Sequence, residues 1–439
     1  MKILLVMPDA GIHKLKIGPF RMSFREAPLT LTTLAALVPA ELNADITITD
    51  ESIDDIPFKK HFDLVGISCL TGTALRAYEI ADRFRKLGSK VVLGGIHVTL
   101  RTEEAKEHAD TIIIGFAEKT WPTFLIDFFN GVAKQVYKED SIDLRNLPFP
   151  KRELQKKWGY MVPNTVFATR GCKRSCEFCT VPAVPFGWHT RPVNEVIDEI
   201  KSIPAKRIVF NDVSMVEDKD YAKELFSAMI PLKKKWGGLA TSSIVYDHEL
   251  LDLMTRSGCV YLLIGFETVT QHGLAGINKR FNDVDKYIDV INQLHKRNIV
   301  IQGCFILGLD HDDTSIFKKT VEMVNNLRID IPRFAIYTPY PQTKAFRILK
   351  EQGRILHEYW PHYDTQHVVF KPVKMSPREL DDGFKWTYEQ TFKVSSTLQR
   401  LRISKHFPVT FLGNLAYRMY IGRLQNDLNR IYYKKDCVN

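Results

Sequence analysis

The fold and the chemistry of this chain turn on one stretch, Thr165-Val166-Phe167-Ala168-Thr169-Arg170-Gly171-Cys172-Lys173-Arg174-Ser175-Cys176-Glu177-Phe178-Cys179. An apolar run that reads as a β-strand leads directly into a loop carrying three closely spaced cysteines. Soft thiolates grouped in this way hold metals. Three ligands rather than four leave one coordination position vacant, as in an iron–sulfur cluster with one open iron. The spacing alone is also compatible with zinc, which closes its sphere with a fourth Cys or His.

The surroundings favour the cluster. From residue 164 to about 347, apolar runs at 165–169, 207–210, 239–243, 260–265, 299–307 and 333–338 alternate with helical patterns at 193–202, 219–235, 247–256, 284–296 and 315–327. Six βα units predict a partial (β/α)6 barrel, whose chemistry sits at the carboxyl ends of its strands. The cysteines follow the first of these strands. Residues 1–140 show the same alternation on a smaller scale, with strands expected at 2–7, 45–49, 64–69, 90–94 and 111–114 and helices near 28–40, 73–87 and 119–130. This predicts an α/β, Rossmann-like (flavodoxin-like) parallel sheet covered on both faces, with ligands beyond the strand carboxyl ends. The opening Met1-Lys2-Ile3-Leu4-Leu5-Val6-Met7-Pro8 is too short an apolar run for a signal sequence and reads as the first strand.

The pattern Cys172-x3-Cys176-x-Phe178-Cys179, with Gly171 before it, resembles that of the radical S-adenosylmethionine enzymes. That resemblance implies a 4Fe–4S cluster on Cys172, Cys176 and Cys179, with S-adenosylmethionine chelated to the open iron and cleaved to a 5′-deoxyadenosyl radical. It places Phe178, Ser243, Glu267 and Gln302 against S-adenosylmethionine, and Phe305-Ile306-Leu307-Gly308-Leu309 beside the adenine. The Gly-Gly-Glu usual after the second strand is replaced by Asn211-Asp212-Val213, so no residue is assigned to the amino-group contact.

A second resemblance covers residues 1–135. Leu64-Val65-Gly66-Ile67-Ser68-Cys69-Leu70-Thr71, Gly94-Gly95-Ile96-His97-Val98-Thr99 and Gly115-Phe116-Ala117-Glu118 form an ordered set similar to the cobalamin-binding domain of cobalamin-dependent radical enzymes. It implies cobalamin contacts from Ser68, Leu70, Thr71, Gly94, Gly95, His97, Thr99 and Glu118. Asp9 and His13 do not match the Asp-x-His-x-x-Gly that supplies a cobalt ligand elsewhere, so cobalamin is expected without a histidine below it. The combined layout resembles the branch containing the hopanoid C-2 methylases. That likeness implies a class B methyltransferase acting on an unactivated carbon of a lipid-like or other secondary metabolite, through the adenosyl radical and methylcobalamin. An oxidative cyclase or rearrangement enzyme carries the same motifs. A zinc-stabilised nucleic-acid-binding protein is the alternative from a different class. No general base is required and none is assigned. Tyr337 and Tyr340, at the last barrel strand, are candidate substrate contacts.

The 439 residues suit two domains and an appendage, with 45% hydrophobic and 26% charged residues as in a globular protein. The expected division is a cobalamin-binding domain at 1–140, a linker at 141–163 rich in prolines and charges, the cluster-bearing barrel at 164–365, and a helical, basic region at 366–439. Seven cysteines, an odd number, with no export signal indicate a reducing cytoplasm. Cys69, Cys259 and Cys304 lie in apolar runs and read as buried, inert thiols, and Cys437 as a tail residue. The net charge of +10 is concentrated at the end of the chain. There, Tyr417, Tyr420, Ile421, Leu424, Leu428 and Ile431 recur at helical spacing, with Arg418 and Arg430 off the stripe. This reads as a terminal helix docked on the barrel, or one making peripheral contact with an anionic membrane surface. No RNA-binding module accompanies the charge, so nucleic acid is not an expected partner. A small-molecule or lipid substrate and an electron donor such as flavodoxin or ferredoxin are.

Overall fold

The computed structural model describes residues 1–9, 14–17, 20–156, 158–184, 186–402, 404 and 406–426. His13, Leu428, Arg430, Ile431 and Cys437 lie outside the described residues. The chain divides into two units, one comprising residues 1–171 and 183–211, the other residues 172–182 and 212–439.

In the first unit, strands β1 (Lys2–Met7), β2 (Asp45–Asp50), β3 (Leu64–Ser68), β4 (Lys90–Gly94), β5 (Thr111–Gly115) and β6 (Val136–Glu139) form one sheet in the order β2-β1-β3-β4-β5-β6. Every pairing is parallel. Ile3, Leu4, Leu5 and Val6 are all fully buried, because a parallel sheet is covered on both faces and an inner strand must be apolar throughout. Helix α1 (Ala74–Lys86) covers one face with Ala77, Tyr78, Ala81 and Phe84, spaced to share one side of the helix. On helix α2 (Ala117–Phe129), the buried Trp121 donates its indole N–H to the Leu34 carbonyl at 2.9 Å. The strand order reverses at β1, so the crevice beyond β1 and β3 is the expected ligand position of such a sheet.

Strands β7 (Thr165–Val166) and β8 (Arg207–Phe210) pair in parallel in the same unit. The stretch expected to be a linker is packed structure: Tyr160–Val162 pairs with Phe20–Glu26, and Leu144 packs with Leu29 and Phe167. Its prolines punctuate the segment, while its apolar residues tie it down. Neither Val136–Glu139 nor Tyr160–Val162 stands out from its sequence, since both are short and the first is partly charged.

The second unit carries β9 (Lys235–Ala240), β10 (Cys259–Glu267), β11 (Val300–Leu307) and β12 (Ile331–Ile336), paired in parallel and in chain order. β9 begins four residues before the expected 239 and ends before Ser243. Its first residue, Lys235, reads by sequence as the end of the preceding helix, yet it opens the strand and the next residue, Trp236, is buried and strand-paired. Phe266, Phe305 and Phe334 stack across three adjacent strands, with centroids 5.7 and 6.2 Å apart. Helices α3 (Gln271–Gly276) and α4 (Lys344–Glu351) flank the strand ends. The C-terminal region is helical as expected, with α5 (Pro377–Thr391), α6 (Val394–Leu401) and α7 (Phe407–Asn426). Tyr388 of α5 both donates to the Phe334 carbonyl and accepts from its N–H, at 2.9 and 3.1 Å, which fixes α5 against β12. No helix among the described residues is long and apolar enough to cross a membrane.

Candidate functional site

The cysteine loop is held on two sides. Asn278 donates to the Ser175 carbonyl and hydroxyl at 3.0 and 2.9 Å, and the Glu177 N–H donates to the Ile277 carbonyl at 3.2 Å. Opposite, Lys344 pairs with the Glu177 carboxylate at 2.6 Å and the Ala345 N–H reaches the Glu177 carbonyl at 3.0 Å. The loop is thereby fixed by the segment after α3 and by the first turn of α4.

Cys176 is buried, and Cys172 and Cys179 are half-buried. Burial pushes the Cys172 thiol up to about 11, against the Arg174 N–H that favours its thiolate. Burial likewise raises Cys176 and Cys179, while the nearby Lys279 ammonium pulls both down. The Glu267 carboxylate paired with Lys279 pushes the same two thiols up, so Cys176 and Cys179 sit beside an ion pair rather than a lone cation; a cluster would take all three cysteines as thiolates. Among the described residues, no three His, Cys, Asp or Glu side chains stand close enough to share a single metal ion. The ligands of a cluster bind different irons, and so stand further apart than the roughly 3.8 Å of two thiolates on one tetrahedral zinc with Zn–S near 2.3 Å.

Beside Cys179 opens a cavity of about 260 Å³ at the strand ends. Phe178 and Glu267 line it, as do Tyr337 and Tyr340. Four of the residues expected from sequence therefore share one wall system with Cys179. Cys304 and Arg333 line it too, although nothing in their local sequence singles them out. Cys304, expected as an inert core thiol, is half-buried and faces the cavity, whereas Cys69 and Cys259 are buried as expected.

Glu267 is the most constrained group at this rim. Its φ of +68° lies in the left-handed region that a long side chain rarely adopts, and the β10–β11 register shifts beside it. Its carboxylate pairs with Lys279, and both are buried. Burial works against the Lys279 charge, but the Glu267 carboxylate more than offsets this and holds the ammonium above its ordinary range. Backbone strain and a buried ion pair together at a strand end make Glu267 a candidate functional position. A lysine between Asn278 and Arg280 looks solvated, so the sequence does not single out Lys279.

Two further residues expected at S-adenosylmethionine, Gln302 and Ser243, do not line this cavity. Gln302 bridges Tyr261 and the Tyr417 hydroxyl of α7, the latter at 2.9 Å, so both ends of its amide are engaged. Ser243 lies in the turn after β9 and hydrogen-bonds Thr241 at 2.8 Å; it does not line the cavity. Its neighbour Ser242 donates to Asn282 at 2.8 Å, and Asn282 donates to the Gly265 carbonyl at 2.9 Å. At the end of β11, Gly308 has φ +90°, and its N–H and that of Leu309 are pinned by the Asp312 carboxylate at 3.1 and 3.0 Å.

In the first unit, the strand ends at the switch point present backbone and small side chains. Leu70 is 45% exposed just beyond β3. Gly95, at φ +102°, lies so close to the chain after β3 that a Cβ there would stand 2.6 Å from the Cys69 carbonyl oxygen. Thr99 links two rim loops, donating to the Gly95 carbonyl at 3.2 Å and accepting from the Gly115 N–H at 3.0 Å. Glu118 faces Arg170 at 3.5 Å. Ser68 and Gly94 are half-buried at the same ends. Thr71 and His97 point inward instead: His97 has no exposed surface, with Nδ1 3.3 Å from the Thr71 hydroxyl and Nε2 3.5 Å from Glu104. A shelf with an exposed leucine, and with His97 turned away from it, fits a flat cofactor bound by shape.

Comparison with known proteins agrees with both regions. The B12 binding domain family matches residues 23–125, and the radical SAM superfamily matches residues 166–324. The chain is 33% identical to the bacteriochlorophyllide d C-12(1)-methyltransferase of Chlorobaculum tepidum, over 85% of this chain and 84% of that one. The hopanoid C-2 methylase of Rhodopseudomonas palustris is 22% identical over 75% of this chain and 66% of that one. Among solved structures, the radical S-adenosylmethionine methyltransferase TsrM from Kitasatospora setae, with cobalamin and a [4Fe-4S] cluster bound, superposes with a TM-score of 0.66 at 17% identity, covering 87% of this chain and 81% of that one. The chain belongs to the cobalamin-dependent radical S-adenosylmethionine methyltransferases.

Proposed function

We propose that this enzyme methylates a peripheral, unactivated carbon of a large apolar polycyclic substrate of the tetrapyrrole kind. The observation that carries this is the 33% identity, across most of both chains, to a methyltransferase named for bacteriochlorophyllide d. It sharpens the lipid-like expectation without discarding it, since a hopanoid methylase is a more distant relative.

When bound, the 4Fe–4S cluster, S-adenosylmethionine and cobalamin supply radical generation and methyl transfer. Cys172, Cys176 and Cys179 would hold the cluster. Phe178 and Glu267 would flank S-adenosylmethionine in the cavity beside Cys179, with Lys279 fixing the Glu267 carboxylate. Tyr337 and Tyr340 would supply flat apolar surface toward substrate, and the aromatic walls would keep water from a reactive carbon. Leu70, Gly94, Gly95 and Ser68, braced by Thr99 and Glu118, would seat cobalamin. Functional boundaries at 1–140, 141–163, 164–365 and 366–439 go with these assignments. A flavodoxin or ferredoxin would deliver the electron, and the C-terminal region would make a peripheral contact with the membrane.

The test is anaerobic turnover of the reconstituted enzyme with methyl-labelled S-adenosylmethionine and bacteriochlorophyllide d. Gain of one labelled methyl group on the macrocycle is expected. Cleavage of S-adenosylmethionine with an unchanged macrocycle mass would overturn the substrate class. A change in ring count or unsaturation without added label would identify a cyclase, and colourless protein holding zinc would remove the cluster.

A further inference from the structure

Helix α7 is built the wrong way round for a helix that only docks on its own protein. Its covered side carries Thr410, Asn414, Tyr417 and Ile421. Asn414 donates to the Asp330 carbonyl at 2.8 Å and accepts from the buried Arg400 at 2.7 Å, while Tyr417 meets Gln302. This polar side fixes the helix. The adjoining, outward side holds Phe407, Phe411, Leu415 and Met419, one helical turn apart, with Leu412 beside them, and these are between 38% and 63% exposed. The apolar stripe expected through Tyr417 and Ile421 is therefore the docking side, and the larger apolar surface faces out. A row of large side chains at four-residue spacing is a contiguous patch of the kind that marks an interaction surface.

Charge decides what covers it. From Lys393 to Asn426 the sequence contains no acidic residue. Arg418 is exposed within the apolar face, and Arg402 is exposed beside its first turn. Next to the helix start, Arg328 and Arg402 line a cleft of about 960 Å³ together with Leu398 and Phe407. A second copy meeting this face across a two-fold axis would set arginine against arginine. An anionic bilayer meets both requirements, taking the apolar side chains at the acyl boundary and the guanidinium groups at the phosphates.

We propose that the α7 face, with Arg328, Arg402 and Arg418, docks the enzyme on an anionic lipid bilayer. This gives the peripheral contact of the proposed function a defined surface, and its test is independent of the substrate. The full-length holoenzyme is floated with vesicles of phosphatidylcholine alone and of phosphatidylcholine with phosphatidylglycerol, at low and high salt. Binding only to the anionic vesicles, reversed by salt, is expected. Phe411→Asp with Leu415→Asp should weaken it at least about tenfold, and each of Arg402→Gln and Arg418→Gln about fivefold. Both apolar sites are exposed, so iron content, cobalamin content and 5′-deoxyadenosine formation should be unchanged. Equal binding to neutral vesicles, no binding to either, or a dimer in solution that the aspartate pair disperses would each overturn the proposal. The salt and lipid dependence of the wild-type enzyme decides the matter even where a variant fails to fold. Loss of methyl transfer with vesicle binding retained would count against the substrate assignment only.

Discussion

In the first unit the strand-end rim is backbone, glycine, threonine and one exposed leucine, with His97 turned inward; in the second it is thiols, a strained glutamate and a buried lysine. The two rims meet different demands. A broad cofactor that brings its own metal needs space and shape. A cluster and a charged cosubstrate need ligands and counter-charges, and those must be desolvated and held. The first rim should therefore be sensitive to volume and the second to charge.

The largest separation should come from Cys176→Ala. Iron content and 5′-deoxyadenosine formation should fall to background, while cobalamin binding, read by absorbance, persists. Loss of both cofactors together would break the comparison. Next, Glu267→Gln strands the buried Lys279 charge, which should cost about 3–5 kcal/mol in denaturant unfolding. Lys279→Met combined with Glu267→Gln should recover part of that stability but not S-adenosylmethionine cleavage. Full recovery of cleavage would show that the pair is only structural.

Gly95→Ala tests the first rim by volume. A Cβ there meets the Cys69 backbone at a left-handed φ, so we expect a loss of about 1–3 kcal/mol, with weakened cobalamin binding and unchanged iron. The smallest effect should follow Tyr417→Phe, which removes one hydrogen bond to Gln302 and about 1 kcal/mol. If Gln302 contacts S-adenosylmethionine rather than bracing α7, the KM for S-adenosylmethionine will shift more than the melting temperature.

Much of the molecule is readable in one dimension. The thiol spacing points to a cluster with an open iron, and the apolar runs at Lys2–Met7, Lys90–Gly94 and Arg207–Phe210 match the observed strands to the residue. Alternation of strand and helix predicts two parallel-sheet regions, because a strand covered on both faces has to be apolar at every position. Burial of individual polar residues is not readable. Lys279 and Cys304 at the cavity, Gln302 turned to Tyr417 and His97 turned inward all depend on partners distant in sequence or on the path of the backbone. The direction of α7 has the same cause: with apolar residues on nearly all sides, its sequence cannot say which face the protein covers. Sequence determined most of the elements and the thiol spacing, since local spacing and hydrophobicity are properties of short segments. Tertiary structure alone decided which of the polar groups are desolvated and which apolar face is left to a partner, because both follow from contacts that only the folded chain brings together.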